Sequence, residues 1–122
     1  MTDFITNFLS ETIIALNENG KLPSDVEYVG SRDGTYSISW EQFEAIANFK
    51  YDGGYGAQEI AEDIIVVGDN WWMERHEYDG SEWWEFKTMP VRKPETKEFS
   101  KIHTRSYTNG DSIGQLNREE KQ

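Results

Sequence analysis

The chain has 122 residues, of which 23 are Asp or Glu and 12 are Lys or Arg, so its formal net charge is −11 and its pI is near 4.5. This acidity argues against a groove for duplex nucleic acid, and the length suits one domain with a modest core built from five Trp, six Tyr and six Phe. Cysteine is absent, which excludes disulfides, thiol nucleophiles and thiolate metal sites and is typical of a reducing cytoplasm.

The N-terminal segment predicts an amphipathic helix that stops near Gly20. Its apolar residues recur at helical spacing and form one stripe, which contains Phe4, Ile5, Phe8, Leu9, Ile13 and Leu16. The same segment lacks a basic region and a long apolar run, so we do not expect an export signal. No run of about 18 apolar residues occurs elsewhere, so we expect no membrane span.

Residues 22–49 predict a short hairpin followed by a short helix. Residues 26–30 and 35–38 flank Arg32-Asp33-Gly34, which has the composition of a turn that requires glycine. Ser39 and Gln42 then have the spacing of a capping box. We expect the helix to end near residue 49, with its inward-facing residues being Phe43, Ile46 and Ala47.

The next segment predicts a loop, a single helical turn and a buried strand. Residues 50–56, KYDGGYG, are rich in glycine and indicate a flexible loop that contacts a partner through Tyr51 and Tyr55. Residues 58–63 suit one turn of helix, and the apolar residues 64–67 suit a strand.

Residues 71–88, WWMERHEYDGSEWWEFKT, predict the dominant β-hairpin of the chain. A two-residue turn at Asp79-Gly80 places Glu74 opposite Glu85 and separates two faces. We expect the core face to contain Trp71, Met73, Arg75, Trp84, Phe86 and Thr88, and the outer face to contain Trp72, Glu74, His76, Trp83, Glu85 and Lys87. A bulged turn would shift the register by one residue, and the other Trp of each adjacent pair would then face outward.

Two Trp, two Glu, one His and one Lys are an unusual composition for a solvated sheet face, so we expect the outer face to bind a partner. The alternative is that the rings of both Trp doublets are buried, because a small domain needs its aromatic residues for the core. Glu74 and Glu85 also raise the alternative of a carboxylate-pair hydrolase, although ion pairing with His76 and Lys87 is the favoured interpretation. We expect no catalytic residues, no cofactor and no metal site, since His76 belongs to no ligand motif.

Charge is unevenly distributed along the chain. Residues 1–89 hold 18 acids and 5 bases, whereas residues 90–122 hold 5 acids and 7 bases. We therefore expect an acidic globular domain over residues 1–90 and a near-neutral, polar tail over residues 91–122. Three alternatives remain for what orders this tail: the globular body, a partner protein or a second copy in a homodimer.

Dense carboxylates beside exposed aromatic rings match a basic groove on another protein, of the kind that holds nucleic-acid phosphates and stacked bases. The predicted contact residues outside the hairpin are Tyr51, Tyr55, Glu59, Glu62 and Asp63.

Residues 71–90, together with ISWEQFEAIANF before them, resemble the small acidic proteins carried by phages and prophages of Gram-positive bacteria. The resemblance covers residues 35–92. It implies an inhibitor of host defence, of the anti-CRISPR or anti-restriction type, which covers a basic site without enzymatic chemistry. The near-neutral tail departs from the acid-rich ends of strict DNA mimics.

These patterns predict an α+β fold, with two helices packed on one face of an antiparallel sheet of four or five strands. The predicted function is a non-enzymatic, cytoplasmic protein that inhibits a basic, nucleic-acid-handling host protein, such as a nuclease, and contacts neither nucleic acid nor membrane directly. The alternatives are a toxin-neutralising or docking module unrelated to nucleic acid and, third, a small hydrolase that uses Glu74 and Glu85.

Overall fold

The computed structural model describes residues 5–54, 56–103 and 110–118 and divides the chain into two units, Met1–Met89 and Pro90–Gln122. In chain order its elements are β1 (Ile5–Asn7), α1 (Phe8–Glu18), a short 3-10 helix (Pro23–Asp25), β2 (Val26–Ser31), β3 (Ser37–Ile38), α2 (Trp40–Ala47), β4 (Lys50–Asp52), β5 (Ile64–Gly68), β6 (Trp71–Tyr78), β7 (Ser81–Thr88) and α3 (Ile113–Leu116). The predicted α+β fold is confirmed.

The main sheet of the first unit is antiparallel, with the described strands in the order β3-β2-β5-β6-β7, while β1 and β4 form a separate two-stranded sheet. One row of side chains crosses the core face of the main sheet, namely Val29, Val66, Met73 and Phe86. The two longer helices pack on this face. Phe8 of α1 stacks on Trp84, with ring centroids 5.7 Å apart, and meets Phe43 of α2 edge-on at 5.8 Å.

The hairpin of β6 and β7 has the predicted register, in which Trp71 lies opposite Thr88 and Glu74 lies opposite Glu85. Asp79 and Gly80 have φ angles of 52° and 89°. Two consecutive residues with positive φ form the tight turn whose twist matches that of the strands, and Asp-Gly suits those positions. Because no bulge shifts the register, the core and outer faces carry the residues that the sequence predicted.

The first helix begins later than predicted. Ile5–Asn7 is a strand, and Asn7 caps α1 because its Oδ1 accepts the N–H of Ser10 at 2.9 Å. The prediction of a helical Ile5 is therefore wrong, and Phe4 lies outside the described residues. The strand forms because Lys50–Asp52 supplies antiparallel backbone partners that local spacing does not reveal.

The same pairing corrects the prediction for residues 50–56, because Lys50–Asp52 is a strand rather than a loop. Residues 58–63 do not form the predicted turn of helix. The carboxylate of Glu82 accepts the N–H groups of Glu59 and Ile60 at 2.7 and 3.3 Å, and these contacts replace helical hydrogen bonds.

The predicted capping box of α2 is present, since Ser39 Oγ accepts the N–H of Gln42 at 3.1 Å and Gln42 Oε1 accepts the N–H of Ser39 at 2.9 Å. The helix ends at Ala47, and its buried residues are Trp40, Phe43 and Ala47. The prediction of an inward-facing Ile46 is wrong, because this residue falls beside that stripe and is 66% exposed.

In the second unit, the side chain of Asn117, directly after α3, forms hydrogen bonds with the backbone of residues 100–101. Its Oδ1 accepts the N–H groups of Ser100 and Lys101 at 3.2 and 3.0 Å, and its Nδ2 donates to the carbonyl of Lys101 at 2.9 Å. Part of the region predicted as a polar tail therefore has a local structure of its own.

A charged cluster is buried in the core beneath the hairpin. The side chain of Arg75 is inaccessible to solvent, and its Nη1 donates to Glu11 Oε2 at 3.1 Å. Its Nη2 donates to Glu82 Oε1 and to the Tyr51 hydroxyl, each at 2.9 Å. The guanidinium also lies 5.0 Å from the ring centroid of Trp84. These contacts join α1, β4, β6 and β7 around one positive charge.

The partners of Arg75 keep it charged despite its burial. Burial alone would lower the pKa of Arg75, but the hydrogen bond to Glu82 and the charge of Glu11 outweigh it and raise that pKa above its ordinary value. Burial, and then the hydrogen bond to Glu11, raise the pKa of the Tyr51 phenol, which therefore remains a donor. The cluster thus holds one cation, two carboxylates and a neutral phenol.

We expect Glu82→Ala to reduce the free energy of unfolding by about 3–5 kcal/mol, because it removes one partner of a buried ion pair. The matched control is Glu44→Ala on the exposed face of α2, which should change stability by less than about 0.5 kcal/mol. Urea unfolding followed by circular dichroism measures both. Equal stability of the two variants would contradict the structural role of the cluster.

Candidate functional site on the outer face of the hairpin

The outer face of the hairpin lies on the side of the sheet opposite α1 and α2. Its residues are Trp72, Glu74 and His76 on β6 and Trp83, Glu85 and Lys87 on β7. Each of them is partly or fully exposed, and Trp83 is 36% exposed. The alternative in which both rings of each doublet are buried is therefore wrong, because strand alternation buries only Trp71 and Trp84.

Each carboxylate of this face is held by the indole of the Trp two residues before it on the same strand. Trp72 Nε1 donates to Glu74 Oε1 at 2.8 Å, and Trp83 Nε1 donates to Glu85 Oε2 at 2.9 Å. Residues two apart on a strand share a face, so the WxE spacing builds the same pair twice. Because the strands place Glu74 opposite Glu85, the two indole–carboxylate pairs lie side by side.

Two basic side chains complete the face. His76 Nε2 lies 2.8 Å from Glu74 Oε2, and Lys87 Nζ lies 3.6 Å from Glu85 Oε1. The hydrogen bond from Trp72, and then that from His76, lower the pKa of Glu74, while the hydrogen bond from Trp83 lowers that of Glu85. Both carboxylates are therefore ionised at neutral pH, although like charges on opposite strands repel each other.

This charge state does not favour the carboxylate-pair hydrolase. Glycoside hydrolysis by two carboxyl groups needs one with a raised pKa, so that it acts as a general acid. Here the indole donors lower the pKa of both Glu74 and Glu85. The pair provides negative charge beside two indole rings.

The same side of the sheet continues into a shallow cavity of about 350 Å³ on β2, β5 and β6. Its lining combines aromatic, aliphatic and charged side chains, namely Tyr28, Arg32, Ile65, Val67, Trp72 and Glu74. Trp72 and Glu74 belong both to this cavity and to the outer face of the hairpin. The accessible surface therefore extends from the hairpin toward β2.

The structure does not bring all the predicted contact residues together. Tyr51 is only 5% exposed and belongs to the Arg75 cluster, so its assignment as a contact residue is corrected. Tyr55 lies outside the described residues. Glu59, Glu62 and Asp63 are exposed in the segment before β5, apart from the hairpin face.

Two members of the buried cluster were not singled out from the sequence. The alternation that places Trp84 on the core face also places Glu82 there, and Glu11 follows Phe8 by three residues on α1. These two spacings are the sequence features that indicate a core-facing position for Glu82 and Glu11. Assigning them to one cluster requires knowing that α1 packs over the hairpin next to β4.

Neither the protein-family models nor the curated proteins nor the solved structures that were searched give a match to this chain. Within the described residues, no group of three or more His, Asp or Glu is arranged to hold a metal ion. None of the described helices is long and apolar enough to cross a membrane.

We expect Trp72→Phe to raise the pKa of Glu74, because phenylalanine lacks the N–H that stabilises the ionised carboxylate. Trp83→Phe is the matched control and should raise the pKa of Glu85 while leaving that of Glu74 unchanged. A titration followed by carboxyl carbon NMR distinguishes the two sites. An unchanged pKa of Glu74 in Trp72→Phe would contradict the hydrogen bond from the Trp72 indole to Glu74 as the cause of the lowered pKa.

The lowered pKa values also set the sign of a pH effect. A carboxylate whose pKa is lower in the folded state stabilises that state above its unfolded value and loses this contribution as the pH falls through the folded value. For Glu74 and Glu85 the loss should begin below the ordinary glutamate pKa of 4.5. Replacing the indole donors should weaken this acid dependence of unfolding.

Proposed function

We propose that the protein is a non-enzymatic binding protein whose outer hairpin face covers a basic site on a nucleic-acid-handling defence protein in the cytoplasm of a bacterial host. One observation carries the proposal. Two ionised carboxylates, Glu74 and Glu85, lie side by side on an exposed sheet face, each hydrogen-bonded to a partly exposed indole.

This arrangement presents the two features that a nucleic-acid groove recognises. Such grooves place Lys and Arg against phosphates and aromatic side chains against bases. On the outer face, Glu74 and Glu85 would meet the basic side chains, while the rings of Trp72 and Trp83 would meet the aromatic or aliphatic ones. The proposed inhibition is competition for the groove, without a covalent step.

The charge of the first 89 residues supports association with a basic partner. They contain 18 acids and 5 bases, and such an excess speeds encounter with a basic protein at low salt. The Trp side chains act after encounter, because desolvated aromatic contacts slow dissociation. Salt should therefore lower the association rate more than it raises the dissociation rate.

The test is capture of partners from a bacterial lysate by the tagged protein at low and moderate salt, with identification by mass spectrometry. We expect a basic nucleic-acid-binding protein or nuclease to be retained, and its retention to be lost in Trp83→Ala and in Glu85→Lys. Both positions are on the surface, so folding should persist.

The matched controls carry substitutions on α1, which packs on the opposite face of the sheet. Ile14→Ala and Glu18→Lys alter exposed residues of α1 and should retain the partner. If Trp83→Ala and Glu85→Lys also retained the partner, the outer face would be excluded as the binding surface. A partner without a role in nucleic-acid handling would instead favour the toxin-neutralising or docking module.

A further inference from the structure

The edge of the main sheet formed by β3 carries a second accessible surface, far along the strand order from β7. Two adjoining cavities of about 210 and 310 Å³ lie there, between α2, β3 and the segment before β5. They share the lining residues Ile38, Ala61 and Ile64. We call this surface the edge groove.

The edge groove is mainly apolar, and large side chains remain exposed along it. Ile46 is 66% exposed and Phe49 is 41% exposed beside the smaller cavity, and Tyr36 is exposed beside the larger one. Buried rings of the core, Phe8 and Phe43, contribute to the floor of the smaller cavity. Exposed apolar side chains that line a cavity offer contacts for the apolar side chains of a partner.

The charges at the groove have one sign. Glu59 lines the smaller cavity and Asp63 lines the larger one, and neither has an ion-pair partner among the described residues. No Lys or Arg of the described chain lines either cavity. Arg32 is near, but its Nη2 donates to the carbonyl of Glu62 and its side chain lines the outer-face cavity.

We propose that the edge groove binds a basic amphipathic segment of a partner protein. The apolar side chains of that segment enter the two cavities beside Ile46, Phe49 and Tyr36, while its Lys or Arg residues meet Glu59 and Asp63. Charge complementarity selects this occupant, because the acidic body of a second copy would bring like charge to the carboxylates. The proposal goes beyond the outer hairpin face and does not depend on it.

The probe is a synthetic peptide of Leu and Lys, with Leu at helical spacing so that one face is apolar. A scrambled peptide of the same composition controls for charge alone. Fluorescence anisotropy of the labelled peptides, titrated with the full chain, should show tighter binding of the ordered peptide. Equal binding of the two peptides would overturn the proposal, because it would reflect acidity without a groove.

Two exposed isoleucines on helices provide a matched pair of variants. Ile46→Lys places a cation at the groove and should weaken binding of the ordered peptide about tenfold or more. Ile14→Lys makes the same change on α1, where the residue is 56% exposed, and should leave binding unchanged. Equal affinities for the two variants would place the peptide elsewhere.

Further outcomes separate this groove from other sites. Trp83→Ala should bind the ordered peptide as the unmodified chain does, and loss of binding there would assign the peptide to the outer hairpin face. In sedimentation without peptide, the unmodified protein and Ile46→Lys should show the same oligomeric state. A dimer lost in that variant would assign the groove to a second copy and overturn the proposal.

Discussion

The buried guanidinium of Arg75 determines how the elements of the first unit pack together. An isolated charge in a protein interior is strongly unfavourable. Arg75 is tolerated because both of its Nη atoms are paired, although its buried Nε has no hydrogen-bond partner among the described residues. Its partners come from three other elements, Glu11 on α1, Tyr51 on β4 and Glu82 on β7. Pairing the two Nη atoms of Arg75 therefore fixes how the helix, the small sheet and the hairpin pack together. The carboxylate of Glu82 also orders the segment before β5 through the N–H groups of residues 59 and 60.

That internal arrangement determines what the hairpin presents to solvent. Because strand residues alternate between faces, holding Arg75 and Trp84 inward turns Trp72, Glu74, Trp83 and Glu85 outward. The WxE spacing then lets each indole N–H orient a carboxylate on its own strand. The fold thereby arranges two indole rings and two hydrogen-bonded carboxylates on one exposed face. Such pre-organisation reduces the entropy lost when a partner binds.

The parts of this structure that local patterns specify were predictable. The Asp79-Gly80 turn fixed the hairpin register, and Ser39 with Gln42 fixed the start of α2. The errors arose where distant partners decide the outcome. Lys50–Asp52 becomes a strand because β1 lies beside it, and Tyr51 is buried because its hydroxyl bonds to the buried Arg75 and the partly buried Glu11. A Tyr in a glycine-rich segment carries no local sign of such a partner. The outer face was predictable because the two-residue Asp79-Gly80 turn sets the register and strand alternation then assigns each residue to a face.

We propose that the two indole–carboxylate pairs form the contact surface for a partner. The five Trp side chains report on it directly, because each indole N–H gives its own signal in a nitrogen–proton NMR spectrum. Adding the retained partner should shift or broaden the signals of Trp72 and Trp83, while those of the buried Trp40, Trp71 and Trp84 stay in place. Unchanged signals from Trp72 and Trp83 in a complex that has demonstrably formed would show that the outer face of the hairpin does not contact the partner.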